Sequence, residues 1–167
     1  MLRGAHGFAG EPGHMVVDPS GPVCNCGRAG CWEMFASGRA LGRMGRRQAH
    51  DSPRMVELAG GLTTRIQGEH VVAAAIEGDT SALEVIEEFA GWVALGIANI
   101  VNILDSEIVV IGGGLAEVGD VLLEPVRRAF AGLIMGAAQR DTVPIVAAQL
   151  GERAGAWGAA LLAAERA

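Results

Sequence analysis

Apolar residues recur at Ile86, Phe89, Val93, Ile97, Ile100 and Leu104, three or four positions apart, and that spacing predicts a helix. Its second half is apolar on all sides, so it should lie deep in a core. Asp79 or Ser81 can cap its start, and Ser81-Ala82-Leu83-Glu84 has the form of a capping box. The β-branched run 108–111 then predicts a buried strand, followed by the turn Gly112-Gly113-Gly114. A helix over 122–130, a strand over 144–150 and a small-residue helix over 155–165 complete the second half. This alternation predicts an α/β layer fold.

The first half is less regular. Gly4, Gly7 and Gly10 punctuate a loop or strand end, and residues 15–17 suggest a short strand. Asp18-Pro19-Ser20-Gly21-Pro22 is a turn, because proline fixes φ and glycine relaxes it. Residues 32–48 read as a helix, 49–61 as a loop with one helical turn, and 69–77 as a short helix stopped by Gly78. No internal repeat or low-complexity linker interrupts the chain.

Composition sharpens the picture in three ways. The net charge of −6 argues against a nucleic-acid or anionic-membrane partner. All thirteen basic residues are arginine, so a phosphate loop of the GxxxxGK[ST] type is impossible, and the bias suggests a GC-rich genome. Half the residues are apolar and only 19% are charged, against about a quarter in ordinary soluble domains. A face awaiting another subunit or a further lobe is therefore expected. The longest apolar stretch, 89–104, is broken by Gly91, Gly96, Asn99 and Asn102 and is short for a membrane span. With no apolar segment of signal-peptide type at the start, a cytoplasmic location is expected.

The candidate chemistry is concentrated in one window. His14, Cys24, Cys26 and Cys31 supply the four sulfur and nitrogen donors that zinc prefers. Cys24 and Cys26 are too close to pair easily, and their spacing suits one tight knuckle. Gly27 and Gly30 let the backbone wrap around an ion. The alternatives are a disulfide, which strands one thiol, or three inert buried cysteines. Four protein ligands leave no open position, so a metal here is expected to be structural.

The runs Gly10-Glu11-Pro12-Gly13-His14 and Cys24-x-Cys26-Gly27-x-x-Gly30-Cys31-x-Glu33 resemble the ROK family of repressors and sugar kinases. Residues 2–14 look most like the family's actinobacterial-type glucokinases. The resemblance implies a partial actin-like sugar-kinase ATPase fold, the C-terminal lobe, with a zinc-knuckle insertion. It implies a sugar-binding and zinc motif over 10–35 and a nucleotide-side α/β lobe over 79–167. By the same resemblance Glu11, His14 and Glu33 contact a hexose, and Gly112, Gly113 and Gly114 contact the nucleotide. His14 would use one ring nitrogen for zinc and the other for the sugar. The implied activity is transfer of the ATP γ-phosphoryl group to the 6-hydroxyl of glucose with Mg2+. A sugar-sensing part of a ROK repressor is the alternative, and a free-standing zinc module is a third.

The family's acidic Asp-x-Gly-x-Thr loop and its Asn-Asp pair, which holds the general base, do not occur between Met1 and Ala167. The N-terminal lobe is thus expected upstream, no catalytic residue is assigned here, and the isolated chain should be inactive and prone to homo-oligomerise. Asp18 is assigned to its turn, and His6, His50 and His70 to surface or cap positions. Arg43, Arg46 and Arg47 are assigned to a solvated helix face.

Overall fold

The structure, a computed structural model, describes residues 4–114 and 118–164. Among the described residues, six α-helices and two strands follow in chain order: α1 (Gly38–Arg47), α2 (Pro53–Leu58), α3 (Gly68–Ile76), α4 (Thr80–Leu104), β1 (Val109–Ile111), α5 (Asp120–Leu133), β2 (Ile145–Ala147) and α6 (Ala154–Ala164). The predicted α/β order of the second half is present.

α4 is the axis of the molecule. It buries Ile86, Phe89, Val93 and Ile97 of the predicted stripe, with Val85 and Val101, against α5, α3 and α1. The expectation of a deeply buried second half fails at its end, where Ile100 is half-buried and Ile103 and Leu104 are exposed. Its cap is Asp79, whose carboxylate accepts from the Ala82 N–H at 2.8 Å. The Ser81 capping box does not form, because the Ser81 hydroxyl donates to the Asp51 carbonyl instead. Ser52 is fully buried and ties two helix starts together. Its hydroxyl accepts from the Met55 N–H at 3.1 Å and donates to Asp79 at 2.8 Å.

The predicted 32–48 helix is two elements. A 3-10 turn covers Trp32–Met34, and α1 starts afresh at Ser37, whose hydroxyl accepts from the Ala40 N–H at 3.2 Å. The 15–17 strand shrinks to a single bridge between Val16 and Cys31. The helix breaks where Trp32 and Phe35 reach across to Trp92 of α4.

β1 and β2 pair in parallel, Val109 with Ile145 and Ile111 with Ala147, with α5 as the crossover between them. Parallel strands ordinarily lie buried on both faces. Here Val110 is 57% exposed and Trp157 of α6 is 54% exposed, and α6 buries none of its described residues. Exposed apolar area of this kind favours association. The chain alone is expected to sediment as an assembly at micromolar concentration and to bind a hydrophobic dye. A monodisperse monomer in sedimentation velocity would contradict that expectation.

Candidate functional site

Residues 11–35 fold as two crossed turns. A 3-10 turn, Pro12–His14, leads into Met15, whose carbonyl accepts from the Trp32 N–H at 2.8 Å. The Val17 N–H donates to the Gly30 carbonyl at 2.9 Å. The knuckle itself closes where Cys24 N–H donates to the Arg28 carbonyl at 2.7 Å and Gly27 N–H to the Cys24 carbonyl at 2.9 Å. Gly30 is required by its surroundings. Its φ is +76°, and a Cβ there would overlap the Asp18 carbonyl. Asp18 is the turn-former expected, accepting from the Ser20 hydroxyl at 2.6 Å and the Ser20 N–H at 2.9 Å.

This folding brings His14, Cys24, Cys26 and Cys31 together, with one donor atom from each inside 4.8 Å of the others. Cys26 and Cys31 sulfurs lie 3.4 Å apart, and Cys24 Sγ lies 3.7 Å from His14 Nδ1. All three thiols are free, so the disulfide alternative is not realised. Cys24 and Cys31 are buried and Cys26 is exposed. The Arg28 guanidinium steadies the rim by donating to the His14 carbonyl at 2.9 Å. The donor set and its compactness fit a tetrahedral zinc ion.

The thiols differ in acidity. The Arg28 backbone N–H and then the Cys31 thiol stabilise the Cys26 thiolate and bring its pKa to about 6. The Cys26 backbone N–H lowers Cys24, but the hydrogen bond to Glu33 and burial together outweigh it and push the thiol to about 12. Burial, with Cys26 beside it, also raises Cys31. A divalent cation that binds such a set releases the protons the raised thiols hold.

Glu33 and Glu11 flank the cluster. Glu33 accepts from the Cys24 thiol at 2.8 Å, and its Oε1 lies 3.8 Å from His14 Nδ1. Glu11 is exposed at the head of the Pro12–His14 turn, where its carbonyl accepts from the His14 N–H at 3.2 Å. Gly13 faces Glu33 so closely that an added Cβ would lie 3.6 Å from the Glu33 Cβ. The GExGH turn and the Glu33 turn are therefore neighbours.

Gly112, Gly113 and Gly114 follow β1, with Gly113 at φ +73°. Gly114 borders a cleft of about 1040 Å³ between α1 and α3. Arg39, Arg43 and Arg46 line that cleft with Gln67 and Glu69. The solvated-face assignment holds for Arg47, which pairs with Glu88 at 2.8 Å, and for Arg46, which is also exposed, but not for the half-buried Arg43. Arg43 reaches the Met34 carbonyl and Arg46 the Ile66 carbonyl. Burial, and then the charges of Arg46 and Arg47, lower the Arg43 pKa. The spacing 39, 43, 46 on one helix face was the available signal. His70 caps α3 by accepting from the Gln67 N–H at 2.9 Å, and His50 pairs at the surface with Asp51.

The model of the ROK family matches residues 1–166. The glucokinase of Streptomyces coelicolor is 39% identical over 99% of this chain and 53% of its own length. The xylose repressor of Caldicellulosiruptor bescii is 35% identical over 76% of this chain and 32% of its own. Among solved structures, a ROK family glucokinase from Streptomyces griseus in complex with glucose and AMPPNP superposes with a TM-score of 0.90 at 38% identity. That match covers 96% of this chain and 53% of the other. The chain thus has the ROK sugar-kinase fold over what it covers, and spans about half the length of the curated relatives it matches.

Proposed function

Because the chain belongs to the ROK family, we propose that it is the sugar- and nucleotide-facing half of an ATP-dependent glucokinase, with Glu11, His14 and Glu33 holding the hexose. The observation that carries this reading is the joining of two chemistries at one point. Glu33 stands beside both Cys24 and His14, and loss of the Cys24 proton to a bound metal would free its carboxylate to accept from a sugar hydroxyl. His14 Nδ1 is turned toward the sulfurs, which leaves Nε2 for a sugar hydroxyl. His14, Cys24, Cys26 and Cys31 would hold zinc, and zinc would supply structural cross-linking and a fixed imidazole tautomer. The carboxylates of Glu11 and Glu33 accept from hexose hydroxyls, and charged acceptors make the stronger bonds.

On the donor side, Gly112, Gly113 and Gly114 would line the nucleotide of ATP-Mg2+, where the missing side chains allow close backbone approach. The arginines of the neighbouring cleft add positive charge there. Phosphoryl transfer needs an oriented nucleophile and charge stabilisation. No residue of this chain is assigned the base, and the resemblance puts that group and the first phosphate loop in the other half of the relatives' length.

The likeness to a xylose repressor favours a second reading, in which the same pocket senses a sugar without phosphorylating it. The test of the sugar site is calorimetric titration with glucose. Glu11→Ala and Glu33→Ala are each expected to weaken binding by roughly 10- to 100-fold, the loss of one charge-assisted hydrogen bond set. Unchanged affinity in both variants would reject the assignment. Coupled-assay activity of the chain joined to the half of a relative that it does not cover separates kinase from sensor.

A further inference from the structure

Glu33 is held from both sides, and only one of those sides is the thiol cluster. Cys31 precedes it within the cluster. Trp32, between them, lies across α4 at Gly96. A Cβ on Gly96 would overlap the Trp32 ring, so only glycine leaves the indole where it is. The indole N–H donates to the Trp92 carbonyl at 2.7 Å. In a helix that carbonyl also faces the N–H four residues on, which is Gly96. Notch and acceptor therefore belong to a single turn of α4. After Glu33, the Met34 carbonyl accepts from Arg43, and Phe35 stacks on Trp92 at 4.2 Å between ring centres.

Gly91, on the same helix, makes a contrast. An added Cβ there meets nothing within 4 Å, whereas at Gly96 the space is filled by Trp32. The glycine at 96 costs helix propensity, and the return for it is the seated indole. The thiol cluster fixes Cys31, but the two backbone dihedrals of Trp32 still separate it from Glu33. The seat on α4 removes that freedom.

We infer that Gly96, Trp32 and the Trp92 carbonyl form a seat that sets where the Glu33 carboxylate stands, making Gly96 and Trp32 positioning residues for sugar recognition. This rests on the reading of Glu33 as a sugar contact. A hydrogen bond weakens steeply as its angle and length depart from the optimum. Moving the indole to admit one methyl group therefore shifts the carboxylate out of register with a hexose hydroxyl, while the thiols keep their places. α4 also runs on to β1 and the Gly112–Gly114 turn, so the same helix references both ends of the proposed transfer.

The test uses the full chain loaded with Co2+, whose thiolate charge-transfer band reports the cluster. Glu33 is followed by the resonance of a 13C-labelled side chain, and sugar affinity by glucose titration. Gly96→Ala is expected to leave the Co2+ band unchanged, to shift the Glu33 resonance, and to weaken glucose roughly 10- to 100-fold. Gly91→Ala is the control and should change none of the three. If Gly96→Ala does not fold, Trp32→Phe removes the indole N–H while keeping an aromatic ring, and is expected to shift Glu33 in the same way. An unmoved Glu33 resonance in the folded variant overturns the seat. A wild-type chain that binds no glucose overturns the sugar assignment instead, and the Glu33 shift still decides the seat.

Discussion

Replacing Cys26 with serine is expected to abolish zinc binding at the proposed site and to loosen residues 11–31, while the 32–35 turn stays seated on α4 and the helical core stands. Native protein should carry about one zinc per chain, and the variant far less than that. The size of the effect follows from what else holds the segment. Before Trp32 it contributes only Cys24 and Cys31 to the buried apolar set, and it is closed by the bridges Val16–Cys31 and Val23–Ala29. Structural zinc in small modules binds with an apparent free energy of about 10–16 kcal/mol. Two bridges and a few turn hydrogen bonds, at about 0.5–1.5 kcal/mol each, do not replace that. Serine offers a weakly acidic hydroxyl where the cluster has its most acidic thiol. Metal analysis, the Co2+ spectrum and glucose titration would be measured together. Full zinc content and native glucose affinity in Cys26→Ser would defeat both the metal assignment and its scaffold role.

How far this was legible from residues alone depended on the reach of each contact. The His–Cys cluster was legible because its three cysteines lie within eight positions and His14 belongs to a neighbouring motif. α4 was legible because its apolar stripe is periodic along the chain. Its cap was placed ambiguously, since the choice between Asp79 and Ser81 depends on Ser52 and Asp51, which lie some thirty residues away in the chain. The break in the 32–48 segment was hidden for a similar reason. Trp32 leaves the helix register to reach a notch at Gly96, and nothing local announces the notch. Arg43 of α1 was misassigned because its acceptor is a backbone carbonyl of the Trp32–Met34 turn, which carries no sequence signature. Local periodicity thus revealed the second-half elements, and residue spacing the four clustered donors. The placement of Glu33 and the lining of the cleft needed the tertiary structure.

Phe89→Ala is expected to lower the unfolding free energy by about 3–5 kcal/mol, a large share of the roughly 5–15 kcal/mol that a domain possesses. Phe89 is fully buried in the cluster that also holds Val85, Ile86, Leu122, Val126 and Phe130. Neighbouring helices cannot close over a cavity of that size, because α4 and α5 are already locked by their other buried pairs. At about 2–4 °C per kcal/mol for a chain of this length, the melting temperature should fall by roughly 6–20 °C. Phe89 and Gly96 lie seven residues apart, two turns along one face of α4, so the two positions make an informative pair. The cavity at Phe89 removes packing and moves no polar group. Well below its lowered melting temperature, Phe89→Ala should therefore keep the Co2+ band and native glucose affinity. Gly96→Ala should do the reverse, losing affinity by displacing Glu33 while the Phe89 cluster stays packed. If glucose affinity instead fell in both variants in proportion to lost stability, α4 would be a general support rather than a reference for the sugar site.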